Sequence, residues 1–496
     1  MIAEILVLVL IVVSVKYYAN FRRHMSFAKD LHTVQPCYPI IGNIMKILWK
    51  NDEDRFHGLM EGFRHPSKLF KFWLAFIPLL TTNDPGMIQK ILTHPQCMQK
   101  PYIYKLIESK FGLLVADDPI WKRQRKALNP TFNLKVLNGF IPVFDKHAQS
   151  LVNELFQKPI GKKVQFTEMV TRCTLGMVCA TTIGLNIYED ANMDRIPHLF
   201  DKVWELVSAR ILNPFIHMKS IYRLTKNCKL EKALRQEHAK LIDEVFQDAK
   251  IQRAKREDAN SDGYRKPNIF IDQLLDLHYK KIFNDIEVSD NVTTMIMAGS
   301  DTSGTELGII AQLLAMYPHL QDKVYQEIRR VFPTNDELHF TLENLGQLQY
   351  MEKFIKEALR LFPIAPVILR QATSDVVLDG LRIPSGTILT VCIYNLHRRK
   401  DIWGPDAEEF NPENFTPERI KSRHPFAYLP FSGGNRNCIG YRYGMISMKI
   451  IVVHLLLNFK LKSDLTCHRE LRVKFNTLLK LSVEPGLVLE HRNDQF

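Results

Sequence analysis

A glycine-rich loop near the end of the chain holds a single cysteine whose surroundings suit metal chemistry. The segment from Phe431 to Gly440 reads Phe-Ser-Gly-Gly-Asn-Arg-Asn-Cys-Ile-Gly, with Arg436 two places before Cys438. Because no second cysteine or histidine stands at zinc-ligand spacing, a structural zinc is not expected. A lone thiolate can still bind haem iron, where it favours O–O cleavage. The glycines would let the loop pass close under a flat macrocycle and leave backbone N–H groups to reach the sulfur.

This loop resembles the cysteine loop of the cytochromes P-450, the haem-thiolate monooxygenases. It matches the pattern Phe-x-x-Gly-x-Arg-x-Cys-x-Gly at every specified position. The resemblance implies haem b (iron protoporphyrin IX) with Cys438 as the axial iron ligand, and Phe431 and Gly440 as further residues that contact the cofactor. Arg436 can supply a fixed cation for a haem propionate. A glycine loop with a buried, inert cysteine is the alternative.

An apolar pattern from about Ser289 to Tyr317 predicts a long helix, with Ser289 or Asp290 as its cap and Pro318 as its stop. The centre of this helix, residues 298–304, reads Ala-Gly-Ser-Asp-Thr-Ser-Gly, which are poor helix formers. Small residues would let a macrocycle approach the helix, and a threonine can hydrogen-bond to the carbonyl one turn earlier. A weak helix with a Ser/Thr-lined interface is the alternative.

The family resemblance assigns roles to three residues of this segment. Asp301 and Thr302 match the acid–alcohol pair that relays protons to dioxygen, so we expect both to be catalytic. Fatty-acid ω-hydroxylases of animal family 4 often carry a glutamate, esterified to haem, where this chain has Ala298. The resemblance therefore implies that Ala298 lies against haem and that the haem has no ester link to the protein.

Glu357 and Arg360 stand three residues apart, hence on one helical face, among apolar neighbours that predict burial. They resemble the structural Glu-x-x-Arg pair of the family, which supports the cysteine loop. The usual third member of this group is an arginine in a Pro-Glu-Arg-Phe segment, where this chain has Asn414. Asn414 can donate a hydrogen bond but no charge, so the group is either weakened or completed by another cation.

Trp121 and Arg125 match the Trp-x-x-x-Arg motif of the family and share a helical face at i, i+4. The indole N–H and the guanidinium could both reach haem propionates, although a simple cation–π pair is the alternative. Arg370 falls where the family places another propionate-binding arginine. Basic residues near Trp121 and Arg436 would suit docking of an acidic flavoprotein reductase.

The first twenty residues read as a membrane anchor. Ile5 to Val15 is almost wholly aliphatic, and the positive charge follows this run in Lys16, Arg22 and Arg23. A cleaved signal peptide is the alternative, but it would have basic residues before the run, where Glu4 stands. We therefore expect an anchor at 1–20, a basic, proline-containing hinge at 21–45, and a catalytic domain at 46–496 that faces the cytosol from the endoplasmic reticulum membrane.

Composition agrees with a single large domain. The chain has 496 residues, 46% of them hydrophobic, and no Gly/Ser- or Pro-rich linker divides its middle. Its formal net charge of +13 suits an anionic membrane surface or an acidic protein partner. No recognised nucleic-acid motif appears, so nucleic acid is not an expected partner. The family resemblance implies a mostly α fold: one helix-rich domain with small β-sheets.

We therefore expect a monooxygenase that inserts one oxygen atom from dioxygen into a lipophilic substrate. Its expected electron donors are NADPH–cytochrome P-450 reductase and cytochrome b5. The alternatives are a haem-thiolate isomerase or dehydratase, and a non-enzymatic haem or small-ligand binding protein. Fatty acids, terpenoid or steroid hormones and xenobiotics such as insecticides all remain open, because the expected pocket segments (Tyr102 to Val115, Phe200 to Ile221, Ile364 to Ile368) are simply apolar and aromatic.

Overall fold

The computed structural model describes residues 26–107, 112–184, 195–259, 270–333 and 338–492, except 39 and 49, together with five single positions before residue 26. Helices dominate this part of the chain. In chain order they are α1 (Asp52–Gly62), α2 (Pro85–Thr93), α3 (Ile120–Leu128), α4 (Leu134–Phe156), α5 (Phe166–Thr182), α6 (Arg195–Leu212), α7 (Lys219–Tyr222), α8 (Lys226–Ala259), α9 (Phe270–Tyr279), α10 (Asp285–Met316), α11 (Pro318–Val331), α12 (Leu342–Gln347), α13 (Gln349–Leu361), α14 (Ile393–Leu396), α15 (Lys400–Trp403), α16 (Pro417–Ser422) and α17 (Tyr441–Asn458).

The strands form small sheets at the edge of the helical body. They are β1 (Phe70–Leu74), β2 (Ile77–Thr82), β3 (Lys163–Val164), β4 (Val367–Gln371), β5 (Val376–Leu378), β6 (Leu381–Ile383), β7 (Ile388–Cys392), β8 (Phe459–Ser463), β9 (Val473–Asn476), β10 (Leu478–Leu481) and β11 (Leu487–His491). One sheet has the order β1-β2-β7-β4, in which only β2 and β7 are parallel, and a second has the antiparallel order β3-β11-β8. The pairs β5-β6 and β9-β10 are antiparallel. The expected mostly α fold with small sheets is confirmed.

Helix α10 begins earlier than the sequence pattern indicated. Asn284 is its cap: its Oδ1 accepts from the Glu287 N–H at 2.9 Å, and Glu287 Oε2 accepts from the Asn284 N–H at 3.1 Å. This reciprocal capping box satisfies two N–H groups that the first turn would otherwise leave unpaired. The prediction of a cap at Ser289 or Asp290 was therefore wrong, whereas the expected stop before Pro318 is confirmed.

The glycines of α10 allow close contact with α5. A Cβ placed on Gly304 would lie 2.4 Å from Thr171 Oγ1, and one on Gly308 would lie 2.3 Å from Thr167 Oγ1. Neither distance is compatible with two non-bonded heavy atoms, so a side chain at either position would push the helices apart. Small residues at 298–304 are expected for the approach of a macrocycle. Of these, Gly304 serves helix packing, as does Gly308 one turn later.

The segment that precedes α1 is attached to the first sheet. The Val34 N–H donates to Lys71 O at 3.0 Å, and the Trp73 N–H donates to the side chain of Asn43 at 2.8 Å. The expected anchor at 1–20 lies outside the described residues, apart from single positions. Among the described residues, no helix combines the length and apolar character that crossing a bilayer would require.

Candidate functional site

A cavity of about 450 Å³ lies between α10, α3, β4, the β9-β10 hairpin and the cysteine loop. Most of its lining is apolar, and nine of the thirteen site residues expected from the sequence contribute to it. Those that line it are Trp121, Arg125, Ala298, Thr302, Arg370, Phe431, Arg436, Cys438 and Gly440. Asp301 does not line it, and neither do Glu357, Arg360 and Asn414.

Cys438 presents its thiol to this cavity. It is the one cysteine of the eight with an exposed side chain, and protein surrounds it, so its exposure comes from the cavity. Its N–H donates to Phe431 O at 2.9 Å and closes the loop. Burial raises the pKa of the Cys438 thiol, while a hydrogen bond from Gly440 and the charge of Arg125 act to lower it. The arrangement suits a thiolate that an approaching metal cation would stabilise.

The loop is held close to a neighbouring helix end. Gly434 has a φ of +67°, and a Cβ at this position would lie 2.2 Å from Leu92 O. A left-handed backbone conformation and a contact this short both exclude other residue types at low energy. Gly434 therefore fixes the path by which the chain reaches Cys438.

Three buried cations face one another in the cavity wall: Lys100, Arg370 and Arg436. Burial, followed by the charges of Arg370 and Arg436, holds the pKa of Lys100 well below its usual value. Burial and then Arg370 lower the pKa of Arg436 to about 10, and burial lowers that of Arg370. Their mutual repulsion calls for anions between them. The sequence analysis had missed Lys100, which stands in an otherwise unremarked Gln-Lys-Pro-Tyr stretch.

Arg436 also retains unused hydrogen-bonding capacity. Its guanidinium lies 4.5 Å from the centre of the Trp121 ring, and Nη2 donates to Ala116 O at 2.8 Å. Its Nε and Nη1 are buried and have no hydrogen-bond partner among the described residues. Buried guanidinium donors normally find acceptors, so these two atoms are suited to bind an anionic group. The two carboxylates of a haem fit this requirement.

Arg125 binds the cysteine loop directly. Its Nη1 donates to Asn437 O at 2.7 Å, its Nη2 to Asn437 Oδ1 at 2.8 Å, and its Nε to Asn129 Oδ1 at 2.8 Å. The residue next to Cys438 is therefore clamped by α3. Asn437 had carried no expected role, because the loop pattern leaves its position unspecified.

Thr302 adopts the expected geometry in α10. Its Oγ1 donates to Ala298 O at 2.6 Å, one turn earlier, and both residues line the cavity. Asp301, the residue before Thr302, does not line the cavity, and its Oδ1 accepts from Lys480 Nζ at 2.7 Å. Burial raises the pKa of Asp301 and the Lys480 charge opposes that shift. Lys480, 179 residues away in sequence, could not be paired with Asp301 from the sequence alone.

Glu306 is a further cavity residue that the sequence analysis missed. It lies one turn after Thr302, is 1% exposed, and neither carboxyl oxygen has a hydrogen-bond partner among the described residues. Burial raises its pKa well above the ordinary value, and no countercharge among the described residues opposes the shift. Burial without a partner therefore favours the neutral form of this carboxyl.

The Glu357–Arg360 pair is fully buried, as expected. Arg360 Nε and Nη2 donate to the two carboxylate oxygens of Glu357, both at 2.7 Å. The remaining Arg360 donors are taken by the backbone carbonyls of His397, Ala407 and Glu409 at 2.6–2.9 Å. A buried pair of this kind is tolerated because every donor is satisfied.

Asn414 replaces the usual arginine by a relayed contact. Its Nδ2 donates to Glu357 Oε1 at 3.1 Å, and its Oδ1 accepts from Arg419 Nη1 at 3.0 Å. Arg423 Nη1 donates to Asn414 O, and Glu357 acts to raise the pKa of Arg423 against the lowering by burial. Two arginines therefore contact Asn414, which in turn contacts Glu357.

His397 connects this ion pair to the start of the cysteine loop. Its Nδ1 lies 3.1 Å from Arg360 O, and its Nε2 accepts from the Leu429 N–H at 2.8 Å. These contacts require a neutral ring with the proton on Nδ1. Burial, followed by Arg360, holds the pKa of His397 well below its usual value, in agreement with that state.

The three segments expected to shape the pocket all contribute to the cavity. The β9-β10 hairpin had not been expected there, and its residues Phe475, Thr477 and Leu478 line the cavity. The tip is tied to α6 by Ser208, whose Oγ donates to Phe475 O and accepts from the Thr477 N–H, both at 3.1 Å.

Comparison with known proteins supports this view of the site. The family model described as "Cytochrome P450" matches residues 34–485. The chain is 30% identical over 471 residues to cytochrome P450 4c21 of Blattella germanica, with 92% of this chain and 93% of the relative covered. It is 29% identical to probable cytochrome P450 313a4 of Drosophila melanogaster, covering 92% of each, and 28% identical to cytochrome P450 4c3 of the same species, covering 90% and 88%.

Proposed function

The chain belongs to the cytochrome P450 family and is a monooxygenase of that family, and on this premise we propose that it hydroxylates lipophilic substrates with electrons from an NADPH-dependent reductase. The family implies a haem-thiolate cofactor. The observation that carries the proposal is the Cys438 thiol, which faces a mostly apolar cavity. The wall of this cavity holds the buried Arg436, two of whose guanidinium donors have no hydrogen-bond partner among the described residues. Fatty acids, terpenoid or steroid hormones and xenobiotics are the substrate classes to be screened.

In this proposal Cys438 would ligate the iron, while Arg436, Arg370 and Lys100 would bind the propionates. Trp121 and Arg125 would complete this group, since both line the cavity and Trp121 lies against Arg436. Haem, when bound, supplies an iron whose thiolate ligand favours O–O cleavage. Ala298 offers no carboxyl to the cofactor, so we propose haem b without an ester link.

The chain's own residues then bind the substrate and supply protons. The apolar walls formed by Ile103, Leu113 and Ile364 exclude water and take up a lipophilic molecule. Thr302, whose hydroxyl hydrogen is held by Ala298 O, can accept a hydrogen bond from a group in the cavity. Asp301, the preceding residue, would bring protons to that position.

The basic surface residues support the proposed electron-transfer partners, and the N-terminal segment supports the proposed membrane location. Lys122 and Arg123 on α3 suit an acidic reductase, or cytochrome b5, that delivers electrons near the cysteine loop. We propose an anchor at 1–20, a hinge at 21–45 and a catalytic domain at 46–496 at the endoplasmic reticulum membrane. Likeness to family 4 relatives supports the microsomal location.

The carbon monoxide difference spectrum of the reduced, membrane-expressed protein tests the cofactor assignment. We expect a strongly red-shifted Soret band in the parent protein, and its loss in Cys438→Ala. Cys228→Ser removes a thiol on α8, outside the cavity, and should leave the band unchanged. A spectrum typical of histidine-ligated haem, or a band that survives Cys438→Ala, would refute thiolate ligation by this residue.

Turnover distinguishes a monooxygenase from the alternatives. The protein with reductase and NADPH is given dodecanoic acid, farnesol, testosterone and 7-ethoxycoumarin as representatives of the four substrate classes. We expect dioxygen-dependent hydroxylation of at least one of them. Conversion of a lipid peroxide without NADPH would favour an isomerase or dehydratase, and binding without any conversion would favour a binding protein.

A further inference from the structure

A lysine joins Asp301 to a carboxylate at the protein surface. Lys480 Nζ lies 2.7 Å from Asp301 Oδ1 and also forms an ion pair with Asp201. The side chains of Asp301 and Lys480 are 11% and 12% exposed, whereas that of Asp201 is 53% exposed. Asp301 Oδ2 is buried and has no hydrogen-bond partner among the described residues. One acid therefore faces solvent, the other lies beside Thr302, and a single cation contacts both.

Three separate elements contribute to this cluster. Asp301 comes from α10, Asp201 from α6 and Lys480 from β10. The same hairpin that carries Lys480 lines the cavity with its tip, and the Leu479 N–H donates to Ile364 O at 2.8 Å. Lys480 is thereby held by backbone contacts next to the cavity wall, and its position does not depend on the ion pairs alone.

The charges that act on the cluster are those of its own members. Burial acts to lower the pKa of Lys480, yet Asp301 and Asp201 raise it overall, so the ammonium remains charged. For Asp301, burial raises the pKa, Lys480 lowers it and Asp201 raises it. Lys474 stands directly opposite Lys480 in the hairpin register and takes part in neither ion pair.

We propose that Lys480 is a positioning residue for the monooxygenase reaction: it holds the Asp301 carboxylate beside Thr302 and joins it to Asp201, where protons enter from solvent. This inference rests on the proposed function. Without Lys480, Asp301 would be a buried carboxylate with no countercharge, and it would turn to another partner or become permanently protonated. Either change would interrupt proton supply to the cavity.

The reaction makes this supply necessary. Hydroxylation consumes dioxygen, two electrons from NADPH by way of the reductase, and two protons, and it yields the alcohol and one water. One oxygen atom enters the C–H bond, and the other leaves with both protons. When hydrogen peroxide is the oxidant instead, it brings the oxygen, both electrons and both protons, so the same alcohol and water form without protons from Asp301.

The contact itself is tested without turnover, by urea unfolding of the haem-containing protein. Lys480→Met, Asp301→Asn and the double variant form one cycle, and Lys474→Met with Asp301→Asn forms the control cycle. We expect the double variant at 480 and 301 to shift the urea midpoint by less than the two single shifts added together. If the shifts of the urea midpoint are additive in both cycles, Lys480 and Asp301 do not interact, whatever the outcome of the activity assays.

The proton role is tested by following where electrons from NADPH go, using the most efficiently converted probe of the panel above. We expect Lys480→Met to lower NADPH-driven product formation about tenfold, equivalent to about 1.4 kcal/mol of transition-state stabilisation. The share of electrons released as hydrogen peroxide and the ratio of rates in H₂O and D₂O should both rise. Lys480→Arg should restore product formation, the hydrogen peroxide share and the H₂O/D₂O rate ratio to the parent values. Lys474→Met should match the parent in all three.

Peroxide-driven turnover separates proton supply from structural damage. Lys480→Met should keep the parent rate when hydrogen peroxide replaces NADPH and the reductase. Equal loss in both reactions would show a merely structural role, and equal retention would show no role; either result would overturn the proposal. If the parent converts no probe, the proposed function fails, while the urea cycle still decides whether Lys480 holds Asp301.

Discussion

Replacing Glu306 by glutamine should make the stability of the protein less dependent on pH. The carboxyl is 1% exposed, lacks a hydrogen-bond partner among the described residues, and has a pKa raised well above 4.5 by burial. In the unfolded chain the same group ionises near 4.5. Between these two pKa values the folded state therefore holds one proton more than the unfolded state, and stability falls as the pH rises.

The size of the effect follows from the linkage relation and the length of the chain. The stabilisation is fully present below the unfolded pKa, and about 1.4 kcal/mol is lost per pH unit until the raised pKa is reached. At about 2.1 cal/mol/K per residue, a chain of 496 residues has an unfolding entropy of about 1 kcal/mol/K. Each pH unit in this window should therefore lower the Tm of the parent by about 1.4 °C relative to Glu306→Gln.

Thermal unfolding of the haem-containing protein, scanned at one rate from pH 5 upward, measures this difference. Glutamine keeps the shape of the side chain but cannot ionise, so the variant isolates the titration. Glu343→Gln, which removes an exposed carboxyl from α12, should retain the pH dependence of the parent. Parallel Tm curves for the parent and Glu306→Gln would show that Glu306 is ionised in the folded state, and would refute its assignment as a neutral, unpartnered acid.

Two further substitutions test packing and the buried ion pair. Gly304→Ala would place a Cβ 2.4 Å from Thr171 Oγ1 and 2.7 Å from its Cα, so we expect the free energy of unfolding to fall by about 1–3 kcal/mol. The control is Gly346→Ala, whose Cβ would meet nothing within 4 Å and should change stability little. Equal Tm values for the two variants would contradict the packing argument. Arg360→Lys should lower the free energy of unfolding by about 3–5 kcal/mol, since Lys cannot replace the bidentate contact with Glu357. The control Arg382→Lys, at an exposed position, should change the urea midpoint little. An unchanged urea midpoint in Arg360→Lys would show that the buried pair is dispensable for stability.

The sequence permits prediction of those parts of the site whose partners are close in the chain. The cysteine loop, the Glu357–Arg360 pair and the bond from Thr302 to Ala298 O all depend on spacings of ten residues or fewer. A fixed helical period or a short glycine loop determines such geometry locally. The observed start of α10 could also be predicted from the sequence, because Asn284 and Glu287 form a capping-box pattern three residues apart.

Contacts between distant segments could not be predicted in this way. Nothing near Lys480 indicates that it pairs with Asp301, because the contact exists only once a hairpin and a helix are packed together. The same holds for Lys100, which a lysine-proline-tyrosine sequence does not distinguish from an exposed lysine. Glu306 could not be predicted for a different reason. A glutamate in a helix is normally expected to be exposed to solvent, and only the packing of the folded chain shows that this one is buried without a hydrogen-bond partner among the described residues.

The three cations around the cavity have a consequence for how the protein is assembled. The mutual repulsion of Lys100, Arg370 and Arg436 opposes the folded chain for as long as no anion lies between them. A dianionic cofactor removes that repulsion and, because it binds the folded state alone, adds its binding free energy to stability. We therefore expect the chain without haem to be less stable than the haem-containing protein. Its unfolding transition should then depend on the concentration of free haem.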